Sequence, residues 1–169
     1  KRQLEGTSCD STPYPQSTAA IDESCYTETV GSWTPTIKWT NTDVSGIYTT
    51  PVVGDLDGDG KPEIVATNRF GQTFALRGDT GSVLWMTPSG ANTEDMTPAI
   101  ADVNNDGLVD VVVSGVSGTK ALNGQTGEMI WQIPQMDGTF NCGAVGVYDL
   151  DGDGTVEVVI GNHILNGAD

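Results

Sequence analysis

Twelve side chains in this sequence are spaced for metal chemistry. Asp55, Asp57, Asp59 and Glu63 fall within Thr50 to Val65, TPVVGDLDGDGKPEIV. Asp102, Asn104, Asp106 and Asp110 fall within AIADVNNDGLVDVVV, and Asp149, Asp151, Asp153 and Glu157 within VGVYDLDGDGTVEVVI. Carboxylates crowded this closely repel one another unless a cation sits among them. Calcium takes six to eight hard oxygen ligands, and positions 1, 3 and 5 of a tight loop bring side-chain oxygens to one point. Position 6 is Gly60, Gly107 or Gly154, where the backbone must turn sharply. A position 7 backbone carbonyl, from Lys61, Leu108 or Thr155, and the position 9 carboxylate are expected to complete each shell. Three calcium sites are therefore expected. Magnesium is disfavoured because it keeps its waters and demands octahedral geometry.

The helical EF-hand shares the opening D-x-[DN]-x-[DN]-G but needs Glu at position 12. Ala66, Val113 and Ile160 stand there, and β-branched residues occupy the place of its exiting helix. The loops must instead join strands. Their first acid moves from 55 to 102 to 149, a step of 47 each time, so each loop belongs to a unit repeated in tandem.

Each unit opens on a short apolar run expected to be a buried strand: Thr50 to Val53, Thr97 to Ile100, Gly143 to Gly146. After the loop come Ile64 to Ala66, Val111 to Val113 and Val158 to Ile160, β-branched and bounded by Gly or Asn. A third strand is expected at Thr73 to Leu76 and at Lys120 to Leu122. A Gly78-Asp79-Thr80-Gly81 or Gly124-Gln125-Thr126-Gly127 turn follows it, then a fourth strand, Ser82 to Met86 or Glu128 to Gln132. Trp85 and Trp131 hold equivalent places in that last strand, and Trp39 does so in the unit before. Four short antiparallel strands with a period in the forties predict all-β propeller blades, since one such sheet cannot bury its faces alone. The blades are expected at 50–96, 97–143 and 144–169, the last incomplete, so that the chain holds a partial propeller, preceded by a strand at 33–39. Residues 1–32 read as an irregular arm.

Composition narrows the partners. The 23 acids against 7 bases leave a formal charge of −16, which argues against nucleic acid or anionic lipid. Eleven of those acids are loop residues, and three divalent ions would bring the charge to −10. No run of about 18 apolar residues occurs, so no transmembrane segment is expected. A secretion signal is expected to have been removed or to lie upstream. Cys9, Cys25 and Cys142 suggest an oxidising compartment. Cys9 and Cys25 would close a loop of about 16 residues worth about 3 kcal/mol, the alternative being two free thiols. Cys142 is then left over, either buried and reduced or paired outside this sequence.

The three loops with their TPVV-like and EIVA-like flanks resemble the FG-GAP or VCBS-type repeats of integrin-α-like β-propellers. The resemblance covers about residues 50–169. It implies a calcium site between the first two strands of each blade, with the twelve residues above as side-chain ligands. Two loops depart from it in carrying Glu at position 9, and of the Phe-Gly…Gly-Ala-Pro signature only Phe70-Gly71 is present. DTGSVLW and QTGEMIW resemble the turn-and-Trp motif of quinoprotein-like propellers, which implies docking of one blade on the next.

The function expected from this family is an extracellular or cell-surface module for adhesion, for binding a protein or glycan, or for assembly with further copies of itself, with calcium as a staple. The alternatives are the propeller part of a carbohydrate-active enzyme, similar to polysaccharide lyases, and a filament or sheath subunit. No catalytic cluster stands out to support an enzyme: His163 is the sole histidine and the best carboxylates are metal ligands. Arg77-Gly78-Asp79 spells an integrin-binding tripeptide, but Asn123-Gly124-Gln125 replaces it in the next repeat, so it reads as a turn.

Overall fold

The computed structural model describes residues 34–89, 97–134 and 144–167. The chain divides into two units, Lys1–Ile37 and Lys38–Asp169, and all the strands described lie in the second. The irregular arm and all three cysteines lie outside the described residues.

Among the described residues, eleven strands form three antiparallel sheets. The first has the order β1 (Val52–Gly54), β2 (Glu63–Thr67), β3 (Gln72–Arg77), β4 (Val83–Pro88). The second repeats it with β5 (Ala99–Ala101), β6 (Asp110–Gly115), β7 (Gly118–Leu122) and β8 (Met129–Ile133). The third runs β9 (Gly146–Tyr148), β10 (Glu157–Ile160), β11 (His163–Asn166). This is the all-β blade architecture expected from the period. Registers repeat as well: Val52 faces Val65, Ala99 faces Val112, and β3 and β7 each shift register against the fourth strand at Ala75/Leu76 and Ala121/Leu122.

Two expectations are corrected. No strand forms over 34–39, where Pro35 offers no N–H to a ladder; residue 33 of the expected strand lies outside the described residues. The first strands are not buried, and they start two or three residues later than expected. Val53 is 58% exposed, and β1, β5 and β9 are at best half-buried along their length. They are the edge strands, with β1 beside β5 and β5 beside β9, so each shields only one side of its neighbour.

Apolar packing runs between sheets. Leu56, Val65, Ala75 and Trp85 of the first unit share a core with Val111, Val113 and Leu122 of the second. Val103, Val112 and Ala121 of the second share the next core with Val145, Val158 and Ile160 of the third. The tryptophans lock the stack. Trp85 donates its indole N–H to the Gly124 carbonyl at 2.7 Å, Trp131 to Gly167 at 2.9 Å, and Trp39 to Gly78 at 3.0 Å. The Trp39 and Trp85 rings also lie on a second turn glycine, Gly81 and Gly127. A Cβ at Gly127, whose φ is +72°, would stand 2.6 Å from the Trp85 ring, which is why the turn reads Gly-x-x-Gly.

Among the described residues, one buried side-chain group is unmatched: the hydroxyl of fully buried Thr73 in β3 has no hydrogen-bond partner there. Removing a buried orphan while keeping the side-chain shape relieves its desolvation. Thr73→Val should therefore raise the unfolding free energy by about 1 kcal/mol in a urea titration, and a loss of stability would show the hydroxyl to be partnered.

Candidate metal centres

Each acidic loop is built by its own backbone before any ion is considered. The position 1 carboxylate accepts from the loop's amides: Asp55 from Gly58 and Gly60, both at 2.9 Å, and Asp149 from Gly152 at 2.7 Å and Gly154 at 3.1 Å. Asp102 accepts from Asp106 at 3.0 Å and Gly107 at 2.8 Å. The position 3 side chain accepts from the position 5 amide, through Asp57, Asn104 and Asp151. Position 5 in turn accepts from the position 7 amide, through Asp59, Asp106 and Asp153. Such Asx turns coil the chain around one centre.

The coil needs two left-handed residues. Position 6 is one, with φ of +82°, +90° and +91° at Gly60, Gly107 and Gly154. Position 4 is the other, with +75° and +80° at Gly58 and Gly152 and +58° at Asn105. Sequence reading recognised only position 6. The signal at position 4 was present, since Asn is the residue other than Gly that most readily takes this conformation.

Position 9 sits on the next strand. Glu63, Asp110 and Glu157 are the first residues of β2, β6 and β10, and each accepts the position 2 amide, from Leu56 at 3.0 Å, Val103 at 3.4 Å and Leu150 at 2.7 Å. In loop one, carboxylate oxygens of Asp55, Asp57 and Glu63 come within 4.8 Å of one another, and in loop three those of Asp149, Asp151 and Glu157 do. Asp59 and Asp153 are not in these groups, and they accept from the amides of Lys61 and Thr155 instead. Loop two forms no such group of acids, and there the amide of Asn104 donates to Asp106 at 3.0 Å. Three carboxylate oxygens, hard and anionic, around a backbone-defined centre suit a hard divalent cation better than a softer metal.

Burial disfavours the ionised form of two position 9 acids. Desolvation pushes the Asp110 carboxyl up to about 6, against the lowering effect of amides from Gly124 and Val103, with Asp106 and Asp102 adding repulsion. Desolvation likewise raises Glu63, opposed by the Leu56 amide and assisted by Asp57 and Asp59.

The loops also touch the stacking contacts. The Gly78 amide donates to the Pro62 carbonyl at 3.2 Å and Gly167 to Val156 at 2.9 Å, one residue before the position 9 acid. Gly124 donates to Asp110 itself at 3.3 Å. Because those same glycines accept the tryptophan of the preceding unit, each loop lies two hydrogen bonds from an inter-sheet lock. Loop one is further covered by Gln125 of the second sheet, whose amide donates to the Asp57 carbonyl at 3.2 Å.

Three comparisons place the chain among known proteins. No curated protein matches it by sequence. Among solved structures, the V. cholerae biofilm matrix protein Bap1 is similar over 80% of this chain and 25% of its own, with 22% identity and a TM-score of 0.56. BamB from Moraxella catarrhalis is similar over 72% of this chain and 34% of its own, with 23% identity and a TM-score of 0.48. The chain thus spans well under half the length of either. The likeness to Bap1 concerns the fold. Residues 55–113, from the first acid of loop one into the second strand of the next sheet, match the FG-GAP-like repeat family.

Proposed function

We propose that this chain is part of an extracellular β-propeller module in which each acidic loop holds one calcium ion, and that the module binds a protein or glycan or assembles with copies of itself. The observation that carries the reading is the convergence of carboxylates from positions 1, 3 and 9 on one point in loops one and three. Asp55, Asp57, Asp59 and Glu63 would hold the first ion, Asp102, Asn104, Asp106 and Asp110 the second, and Asp149, Asp151, Asp153 and Glu157 the third, each with the carbonyl of Lys61, Leu108 or Thr155. Calcium supplies charge neutralisation and no redox chemistry. The protein's part is to fix the first two strands of each sheet at the loop, so that binding free energy becomes folding free energy.

Exposed carboxylate loops of this kind fit the 10⁻⁴–10⁻³ M affinities of extracellular calcium modules. No helix among the described residues is long and apolar enough to cross a membrane. An exposed patch of Tyr48, Arg69 and Phe70 supports the binding role. The Arg69 guanidinium lies 4.9 Å from the Phe70 ring centre and 6.0 Å from that of Tyr48, and both rings are exposed. Aromatic faces with a cation between them suit a sugar ring or side chain that bears an acid.

Calcium titration by calorimetry tests the reading. Wild-type protein should bind three ions, and Asp102→Ala should bind two, with loops one and three unchanged. Loss of all binding in Asp102→Ala would show that the loops are not independent, and no binding by the wild type would end the calcium reading.

A further inference from the structure

The three loops are close copies, but one side chain beside them is not. In the first sheet Glu63 of β2 faces Arg77 of β3. In the third sheet Glu157 faces Asn166. In the second, Val111 faces Leu122, so Asn123 stands at the register position opposite Asp110. The residue across from the position 9 acid is therefore Arg in one sheet and Asn in two.

The backbone around it is the same. The Gly81 amide donates to the Arg77 carbonyl at 2.7 Å as Gly127 does to Asn123 at 2.8 Å, and Arg77 donates to Ser82 as Asn123 does to Glu128. The side chains part company there. Asn123 caps its own turn, accepting from Gln125 and Thr126. Arg77 reaches back over the loop, with Nη1 3.3 Å from Asp57 Oδ2 and 3.8 Å from Asp59 Oδ2. Among the described residues no Lys or Arg pairs with an acid of loops two or three.

Resting on the calcium reading above, we infer that Arg77 is an internal competitor for the metal position of loop one, so that this loop binds calcium more weakly than loop three. Loop one and loop three have the same four acids, and Asp57 is one of the three that converge. A carboxylate oxygen shared with a guanidinium gives less of its charge to an ion, and the guanidinium repels that ion at close range. The same contact has the opposite effect when calcium is absent. It neutralises part of loop one, so the first sheet depends on calcium less than the third.

Arg77→Asn installs the residue that the other two sheets carry at this position. Calorimetric calcium titration should show one site tightening by about tenfold at low ionic strength, less as salt screens the charge, with the other two unchanged. Arg77→Lys should stay close to wild type. In calcium-free buffer Arg77→Asn should melt below the wild type, yet gain more on adding calcium. In an Asp55→Ala background, where loop one is disabled, Arg77→Asn should leave the remaining sites unmoved. Wild-type calcium binding with all three sites unaltered by Arg77→Asn would overturn the inference and leave the calcium reading intact. A tightening that persists in the Asp55→Ala background would also overturn it. If no variant binds calcium, the calcium reading itself fails and takes this one with it.

Discussion

Saturating calcium at pH 7.5 should raise the melting temperature by about 15–30 °C over protein held in chelator. A ligand at about a hundred times its Kd adds about 2.7 kcal/mol per site, so three independent sites add about 8 kcal/mol. For a chain of this size each kcal/mol moves the melt by about 2–4 °C. The gain should depend on pH in a definite direction. Burial raises Asp110 from 3.8 to about 6, so the folded protein without calcium binds more protons than the unfolded chain between about pH 4 and 6. Its stability therefore falls as pH rises through that window, and Glu63, raised by the same cause, adds to the fall. Calcium needs the ionised carboxylates, so its effect runs the other way and is largest above pH 6. Scanning calorimetry at pH 5.0 and 7.5, with and without calcium, should show the chelated protein melting higher at pH 5.0 and the calcium-loaded protein melting higher at pH 7.5. An identical melt with and without calcium at pH 7.5 would remove the staple role.

The loops were legible in the sequence because their chemistry is local. Four of nine positions carry the Asx turns and the position 6 glycine, and the 47-residue step shows that the loops belong to equivalent places in a fold. The β-branched second strands were legible for the same reason. What could not be read is what depends on a neighbouring sheet. Trp85 announces itself as a core residue, but its hydrogen-bond partner, Gly124, lies 39 residues on in the next unit. Arg77-Gly78-Asp79 reads as a turn, and its backbone is one. The pairing of Arg77 with Asp57 and Asp59 follows from the β2–β3 register and not from spacing. The first strands read as buried from composition alone, whereas their place at the edge of each sheet leaves Val53 in solvent.

Position 2 of the loop shows most clearly how a residue's role is set by the sheet beyond it. Leu56, Val103 and Leu150 occupy equivalent places and donate equivalent amides to Glu63, Asp110 and Glu157. Leu56 is fully buried in the core shared by the first two sheets, and Val103 is 1% exposed in the core shared by the second and third. Leu150 is 54% exposed, and among the described residues no further sheet packs on it. Leu56→Ala should accordingly lower the unfolding free energy by about 2–5 kcal/mol, the transfer loss plus the cavity left between two sheets. Leu150→Ala, at a surface site, should change it by no more than about 0.5 kcal/mol. Both substitutions keep the backbone amide that the position 9 acid accepts, so the contrast isolates packing from metal-loop geometry. Urea titrations of the two variants in calcium decide it, and equal losses would mean that the loop leucine stabilises its own hairpin and not the stack. In any longer form carrying a following sheet, Leu150→Ala should approach the cost of Leu56→Ala, because the same side chain would then fill the same kind of seam.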